Sequence, residues 1–292
     1  MLILYNKTMD FVRKNLKSVL IIGLAVAAII IWLALFEARP RHSISVSFLN
    51  VGEGDSVLIQ GKNGNQVLID AGPNRNVLAE LSKALPFFDR SLNVLVETYP
   101  DKDNGGGLPY VLLQYSVGAF FNSGATTQSS IDDEIARITT EKHIPVQTLS
   151  SGIVFDLHDG SYLKVLSPDA GANMKTNEAS LMLEYVYDNT CFLIMGDAPE
   201  KNENNLVLKF GDALHCQVLR VGHHGAKTST GDALLTAVAP QYAVFSNSKD
   251  NRYAYPDQEV LDRLSAHGAK VLNTEDLGTI TMFSDGEKIW SK

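Results

Sequence analysis

Residues 98–108 constrain this chain more than any other stretch, because they place acidic and amide side chains where a buried strand is expected to end. They read T-Y-P-D-K-D-N-G-G-G-L and directly follow the apolar run 93–97. The polar turn carries Asp101, Asp103 and Asn104 ahead of a glycine-rich segment. In α/β proteins the chemistry lies at the carboxyl ends of strands. The stretch therefore indicates a site of oxygen ligands, although Asp, Asn and Gly are also ordinary turn formers.

Two later strand-like runs also end in residues of the types that bind metals. The run 191–194 is followed by Asp197. The run 218–221 is followed by His223 and His224. When three strand ends each deliver Asp or His, a converging metal site is favoured over three unrelated turns.

The uncharged run 18–36 predicts a transmembrane helix, because its nineteen residues would form a helix of about 29 Å, close to the thickness of a bilayer core. A cleaved signal peptide is the alternative, but the run is longer than usual and no small-x-small cleavage site follows it. More basic residues precede the run than follow it, which places the amino terminus in the cytoplasm. We therefore predict a cytoplasmic segment over 1–17, a linker over 37–42 and a domain outside the cytoplasm over 43–292.

The charge of the chain argues against a dedicated DNA-binding protein. Of the 25 basic and 33 acidic residues, residues 1–36 contain four and one, which leaves the remainder with a net charge of −11. A domain of this charge repels polyanions on average, so any contact with nucleic acid requires a local basic patch. Cys191 and Cys216 begin two strand-like segments and are predicted to be neighbours in a sheet. Both a disulfide and two buried thiols fit that position.

The order of predicted elements favours two successive halves that each run from strands to helices. Strand-like runs at 43–49, 56–60 and 66–70 come first, and strands alternate with helices afterwards. With 45% hydrophobic residues, the chain can cover both faces of two sheets, which predicts an α/β fold, a four-layer αββα sandwich. A doubly wound parallel fold is the alternative, but no G-x-G-x-x-G follows a first strand.

Seven motifs spread over residues 43–284 carry a family resemblance. They are F-L-N-V-G-E-G-D-S-V-L-I-Q at 48–60, V-L-I-D-A-G-P at 67–73, Y-P-D-K-D-N-G-G-G-L at 99–108, S-L-M-L-E-Y at 180–185, L-I-M-G-D-A at 193–198, L-R-V-G-H-H-G-A-K-T-S at 219–229 and S-K-D-N-R-Y-A-Y-P at 248–256. Their order and spacing resemble the metallo-β-lactamase fold family, most closely the carboxyl-terminal soluble domain of ComEC-type competence proteins. The resemblance implies the four-layer fold, a hydrolase, and a link to competence and DNA uptake.

The resemblance implies that loops in this family hold one or two divalent metals, which lower the pKa of a bound water molecule for hydrolysis. The family pattern H-x-D-x-D-H is matched at Asp101 and Asp103, whereas Tyr99 and Asn104 stand where histidines would be. Tyr255 likewise stands where a histidine would precede proline. Because phenol and amide groups are poor donors for zinc, two full zinc sites are not expected.

The remaining ligands imply one oxygen-rich site for a single manganese, magnesium or zinc ion, with a site that holds no metal as the alternative. The resemblance assigns catalytic roles and metal ligation to Asp103, Asp197 and His223. Asp101 and the Asn104 carbonyl are predicted to help hold the metal.

Seven further residues are candidates for contact with the substrate or with the metal ligands. They are Asp70, Tyr99, His224, Lys227, Ser229, Asn251 and Tyr255. A structural role is the alternative for His224, helix capping is the alternative to phosphate binding for Lys227 and Ser229, and Asp55 is expected to shape a turn.

Two hypotheses about function follow. The first is a membrane-anchored, outward-facing metal-dependent hydrolase, a phosphodiesterase or nuclease, with nucleic acid or another phosphodiester as its substrate. The second is a degenerate, non-catalytic domain that keeps the fold as a binding or assembly module of the cell envelope. The departures at three histidine positions favour the second, while the carboxylates and histidines that remain favour the first. The sequence indicates no protein partner.

Overall fold

A computed structural model describes residues 15–37, 42–171, 177–248, 251 and 253–291, and the chain divides into two compact units, Met1–Arg41 and His42–Lys292. The first unit contributes helix α1 (Leu16–Glu37), whose side chains are described as far as Trp32.

Among the described residues, no helix combines the length and the apolar character that a membrane crossing requires. The transmembrane span over 18–36 and its orientation therefore stay predictions. Most of the predicted cytoplasmic segment 1–17 and of the linker 37–42 lies outside the described residues.

The second unit contains two sheets, of which the first has eight strands. These are β1 (Ile44–Phe48), β2 (Val57–Gln60), β3 (Gln66–Ile69), β4 (Ser91–Glu97), β5 (Ser116–Asn122), β6 (Val146–Thr148), β14 (Ile280–Ser284) and β15 (Ile289–Ser291). Their spatial order is β15-β14-β1-β2-β3-β4-β5-β6. Pairing is antiparallel from β15 to β3 and parallel from β3 to β6.

The second sheet has seven strands, with antiparallel pairs from β7 to β10 and parallel pairs from β10 to β13. They are β7 (Val154–Asp156), β8 (Ser161–Ser167), β9 (Met182–Tyr187), β10 (Thr190–Ile194), β11 (Val218–Arg220), β12 (Tyr242–Phe245) and β13 (Lys270–Asn273). Their order is β13-β12-β11-β10-β9-β8-β7. Because both sheets mix parallel and antiparallel pairs, the doubly wound parallel alternative does not describe this chain.

Helices follow the strands in both halves. They are α2 (Asn76–Ala84), α3 (Lys102–Gly105), α4 (Leu108–Gln114), α5 (Ser130–Glu141), α6 (Glu200–Phe210), α7 (Asp232–Val238), α8 (Gln258–Ala266) and α9 (Thr274–Leu277), with short 3₁₀ turns at Asn177–Ala179, Gly211–Leu214 and Gly222–Gly225. The start of α5 is capped, because Ser129 and Asp132 exchange the hydrogen bonds of a capping box.

The core forms three layers of buried apolar side chains. One cluster lies between the sheets and joins residues such as Phe48 to Phe192. A second packs the first sheet against helices, with Leu81 and Leu112 among its members. A third packs the second sheet against helices and includes Leu235. The layers therefore run helices, sheet, sheet, helices, and the predicted two-sheet α/β sandwich is confirmed.

Cys191 and Cys216 form a disulfide, with Cα atoms 4.9 Å apart. Cys191 lies in β10, and Cys216 precedes β11, the parallel neighbour of β10. Both residues are buried. The sequence left open a disulfide and two buried thiols, and the structure contains the disulfide.

Candidate metal centre

Asp55 lies in the turn between β1 and β2 and is buried against the loop that follows β4. Its backbone N–H donates to the carbonyl of Asp103 over 3.1 Å. A Cβ atom on Gly54 would collide with that same carbonyl, so the turn requires glycine there. The Asp55 side chain is 3% exposed. The sequence predicted a turn residue, and the structure shows a carboxylate held in the interior.

Asp70, directly after β3, fixes the start of the loop after β4. The hydroxyl of Thr98 donates to Asp70 Oδ2 over 2.6 Å, and its backbone N–H donates to Oδ1 over 2.8 Å. Burial nevertheless raises the pKa of Asp70 to about 7, because the loss of hydration outweighs these two hydrogen bonds. Through these two hydrogen bonds, Asp70 orients the start of the loop after β4.

Asn104 and Asp197 join this loop to the end of β10. The Asn104 amide donates to Asp197 Oδ2 over 2.8 Å, and both side chains are buried. Asp197 Oδ1 and Asn104 Oδ1 are buried without a hydrogen bond from any described residue. Burial raises the pKa of Asp197, since little water reaches its carboxylate. Two oxygen atoms therefore lie in the interior with lone pairs to offer.

His224 connects two buried carboxylates through its two ring nitrogens. Its Nδ1 lies 3.4 Å from Asp55 Oδ1, and its Nε2 lies 3.9 Å from Asp197 Oδ1. Ligand atoms from these three residues all lie within 4.8 Å of one another. Burial lowers the pKa of His224 although Asp197 opposes the shift. The imidazole is therefore neutral near pH 7, which is the form that binds metals.

Arg220, in β11, places a permanent positive charge beside this cluster. The side chain is 1% exposed, and its guanidinium contacts Asp55 Oδ1. It also donates to the carbonyl of Gly196 over 3.0 Å and lies 3.5 Å from His224 Nδ1. Loss of hydration lowers the pKa of Arg220 to about 9, which leaves it charged at neutral pH. Arg220 thus compensates the charge of Asp55.

His223, a predicted ligand, lies outside the cluster formed by Asp55, Asp197 and His224. Its backbone N–H donates to the Gly196 carbonyl over 2.9 Å, and its half-buried ring lies edge-on to Tyr255 with the ring centroids 6.2 Å apart. Burial lowers its pKa to about 4. His223 and His224 both have positive φ, 48° and 54°. The turn therefore directs the second imidazole, rather than the first, toward Asp55 and Asp197.

The two predicted carboxylates of the loop after β4 differ in exposure. Asp103 is half-buried, and burial raises its pKa although nearby His224 opposes the shift. Asp101 is exposed, and its side chain accepts the N–H of Lys102 at the start of α3. Tyr99 is buried, which raises the pKa of its phenol. All three interact electrostatically with Asp197, and Asp103 also interacts with His224.

The remaining candidates hold the turn after β11 and the segment that covers it. The buried Ser229 hydroxyl donates to the Gly222 carbonyl over 2.9 Å, which is a structural role. Lys227 is exposed, and its N–H donates to Asp257 Oδ2 over 2.7 Å. Asn251 exchanges two hydrogen bonds of 2.7 Å with the backbone of Tyr255 and so positions that tyrosine beside His223.

The sequence interpretation did not identify Asp55 and Arg220 as members of one cluster. Both lie within motifs already noted, G-E-G-D and L-R-V-G-H-H-G. An arginine inside an otherwise apolar strand was the available signal, because a charge is buried there only with a partner.

Comparison with known proteins finds sequence similarity to competence and recombination proteins. No protein-family model matches it. It is 32% identical over 248 residues to competence protein ComA of Neisseria gonorrhoeae, and 25% identical over 285 residues to ComE operon protein 3 of Bacillus subtilis. It is also 30% identical over 252 residues to Recombination protein 2 of Haemophilus influenzae. These alignments cover 84%, 92% and 84% of this chain but 33%, 36% and 29% of the relatives, so the chain spans about a third of their length.

Solved structures share the fold at low sequence identity. The metallo-β-lactamase fold protein YhfI from Bacillus subtilis has a TM-score of 0.53 at 8% identity, over 86% of this chain and 100% of that chain. The metallo hydrolase Igni18 from Ignicoccus hospitalis has a TM-score of 0.52 at 15% identity, over 81% of this chain and 98% of Igni18. CmlA, a diiron β-hydroxylase from Streptomyces venezuelae, has a TM-score of 0.55 at 12% identity, over 83% of this chain and 54% of CmlA. The chain thus has the metallo-β-lactamase fold, and its sequence resembles part of the ComEC-like competence proteins.

Proposed function

We propose that this chain is a metal-dependent hydrolase of phosphodiesters that holds one divalent cation at Asp197 and His224. The observation that carries the proposal is the buried Asp197 Oδ1 atom, which receives no hydrogen bond from any described residue and lies 3.9 Å from His224 Nε2. A buried carboxylate with a free oxygen beside a neutral imidazole is the donor arrangement that divalent transition metals select.

The balance of charges supports a cation. Asp55 and Asp197 are both buried, and Arg220 compensates one of them. His224 adds no positive charge near pH 7, since burial lowers its pKa. One buried negative charge therefore has no positively charged partner among the described residues, which is unfavourable in the absence of a cation.

The donors present fit one ion. Asp197 Oδ1 and His224 Nε2 would hold it, with the free Asn104 Oδ1 and the half-buried Asp103 as further oxygen donors. A divalent cation bound there would act as a Lewis acid and lower the pKa of a water molecule. Two carboxylates, one amide oxygen and one imidazole suit manganese, magnesium or zinc.

The other residues of the cluster position these ligands. Arg220 holds Asp55, and Asp55 Oδ1 faces His224 Nδ1, which leaves Nε2 directed at Asp197. A carboxylate that contacts the other ring nitrogen in this way fixes the orientation of a metal-binding imidazole. The Asn104 amide holds the other oxygen of Asp197 and so limits its rotation.

The proposed substrate is a phosphodiester, with nucleic acid as the biological example. The similarity to competence and recombination proteins supports this choice. The exposed Lys102 and Lys227 lie on the loops that carry Asp103 and His224, where they can offer positive charge to a phosphate. We also propose that residues 18–36 anchor the chain in the cell membrane with its domain outside the cytoplasm.

Metal binding and hydrolysis by matched variants test the proposal. We expect the purified chain to retain about one manganese ion after equilibrium dialysis and to cleave a phosphodiester or single-stranded DNA when manganese is present. Asp197→Asn should abolish both, whereas Asp276→Asn, an exposed aspartate in α9, should change neither. If the chain holds no stoichiometric manganese, magnesium or zinc and shows no turnover, the hydrolase proposal is wrong.

A second candidate function is a non-catalytic binding or assembly module of the cell envelope. Asn104 favours it, because its amide donates to Asp197 and occupies one carboxylate oxygen without any metal. Tyr99, which stands at a family histidine position, is buried and its phenol pKa is raised, so it is not an anionic ligand. Metal-dependent turnover that is lost in Asp197→Asn would exclude this second function.

A further inference from the structure

A cavity behind the loop after β4 contains a buried carboxyl group that the candidate metal centre does not use. Glu97, the last residue of β4, is 5% exposed, and its Oε1 atom receives no hydrogen bond from any described residue. Glu97 lines a cavity of about 300 Å³ between β4, β5 and α5. A carboxyl group buried in this way costs stability unless something pairs with it.

Apart from the side-chain amide of Asn122, which can also donate, the polar side chains around the cavity present hydrogen-bond acceptors. The hydroxyls of Thr139 and Thr140 donate to the backbone carbonyls of Ile135 and Ala136, over 2.8 and 2.7 Å. The Thr126 hydroxyl donates to Asp132. Because these hydrogens are already used within the protein, the hydroxyl oxygens have only lone pairs to offer toward the cavity.

Asp132 is fully engaged, unlike Glu97. Its two carboxylate oxygens accept hydrogen bonds from the backbone and hydroxyl groups of Thr127 and Ser129 and from the Thr126 hydroxyl. The twelve described residues that line the cavity include no lysine, arginine or histidine. Acidic side chains and hydrogen-bond acceptors therefore gather in one cavity, where Glu97 Oε1 is a carboxyl oxygen that no described residue engages.

The rest of the wall is apolar. Phe120, Ile135 and Val146 line the cavity together with Glu97. A bare divalent ion prefers about six oxygen ligands and would be poorly held by one free carboxylate among such side chains. A cationic head group with hydrogens to donate, attached to a hydrocarbon chain, matches both parts of the lining.

From this arrangement we infer that the cavity binds an alkylammonium cation, with the ammonium group on Glu97 and the alkyl chain against Phe120, Ile135 and Val146. A free aliphatic amine and the side chain of a lysine share this chemistry. Pro100 lines the same cavity and lies in the loop that carries Asp101 and Asp103. The ligand would therefore contact the loop that leads to the candidate metal centre.

The proton balance gives the binding a second readout. Burial, with smaller contributions from the carboxylates of Asp70 and Asp132, raises the pKa of Glu97 to about 8. At pH 7 the empty cavity therefore holds Glu97 as a neutral acid. When the ammonium binds, Glu97 releases its proton to the solvent and the carboxylate pairs with the cation. The enthalpy of binding at pH 7 should then depend on the ionisation enthalpy of the buffer.

Calorimetric titration of the 292-residue chain tests the inference with butylamine, Nα-acetyl-lysine methylamide and the neutral control butanol. EDTA is added throughout, so that the result does not depend on the metal centre or on hydrolysis. We expect saturable binding of at least one of the two amines, proton release at pH 7, and no comparable binding of butanol. The relative affinities of the two amines distinguish a free amine from a lysine side chain as the source of the ligand.

Two variants complete the test. Glu97→Gln keeps the shape of the side chain and removes its charge, and should weaken amine binding roughly tenfold or more. Asp133→Asn removes an exposed charge from the same helix, α5, and should leave the affinity unchanged. Absence of saturable amine binding by the unmodified chain, equal binding of butanol, or unchanged affinity in Glu97→Gln would overturn the inference.

Discussion

The guanidinium of Arg220 contacts a carboxylate oxygen of Asp55 in the interior of the candidate metal centre, and both side chains are almost completely buried. Asp55 comes from the first sheet's β1–β2 turn and Arg220 from the second sheet's β11. The pair joins the two sheets at the centre and fixes the side of His224 that faces away from Asp197.

Removing the cation from this pair should destabilise the fold. We expect Arg220→Met to lower the free energy of unfolding by roughly 3–5 kcal/mol, because it leaves the Asp55 charge buried and unpaired. Arg137→Met, which removes an exposed arginine from α5, should change the free energy of unfolding far less, because an exposed ion pair contributes little. Urea denaturation measures both values. Adding Asp55→Asn to Arg220→Met should restore part of the loss, and no recovery would contradict a charge-based explanation.

The two adjacent histidines should differ in metal binding. We expect His224→Ala to weaken manganese binding by roughly tenfold or more. Residues that only orient a metal ligand already contribute this much to affinity, so the loss of a ligand should cost at least as much. His223→Ala should have a much smaller effect, because its ring faces Tyr255 rather than Asp197. Titration monitored by electron paramagnetic resonance measures both affinities. A larger loss in His223→Ala would assign the ligand to the other imidazole.

The stability of the fold should fall as the pH rises from the pKa that Glu97 has in the unfolded chain to the higher pKa that it has in the folded chain. Its pKa is 4.5 in the unfolded chain and about 8 in the folded one. Between these values the folded state binds more protons than the unfolded state, so the free energy of unfolding decreases with pH. The decrease from this group is at most about 1.4 kcal/mol per pH unit.

The variant Glu97→Gln isolates this contribution. Its stability relative to the unmodified chain should be higher at pH 9 than at pH 5, since the amide does not ionise. Denaturation in urea at the two pH values, without amines, gives the comparison. An equal stability difference at both pH values would show that folding does not raise the pKa of Glu97.

The disulfide should contribute measurably to stability. Cys191 and Cys216 are separated by 25 residues, and closing a loop of this size is typically worth about 2–4 kcal/mol. We expect the double variant Cys191→Ala, Cys216→Ala to lose stability in this range and to become insensitive to reducing agent. Denaturation with and without dithiothreitol measures this effect. If reductant leaves the unmodified chain unchanged, the two cysteines do not form a stabilising bond in solution.

Local sequence was sufficient for the fold and for part of the centre. The apolar runs that end at Asp197 and in the loop after β4 predicted where chemistry-bearing side chains gather, because strand ends follow directly from hydrophobic patterning. The same runs predicted that Cys191 and Cys216 would be neighbours. The departures at Tyr99 and Asn104 were also visible, since both replace histidines of the family pattern.

The identity of the inward-facing imidazole depended on information that spacing does not contain. His223 and His224 are consecutive, and backbone torsions of the turn decide which ring faces Asp197. Asp55 and Arg220 lie far apart in the sequence. Asp55 looked like an ordinary turn residue, and Arg220, a charge in an apolar strand, indicated a buried partner without showing which residue it was. Their meeting is a tertiary contact, so only the packing of the two sheets could reveal it.

The buried polar side chains of the centre come from opposite halves of the sandwich, with Asp55 and Asn104 on connections of one sheet and Asp197, Arg220 and His224 on the other half. A bound ion would therefore act as a latch between the two halves. Neither half, expressed alone, would contain a complete binding site, and sliding of one sheet over the other would open the centre before it unfolded either sheet.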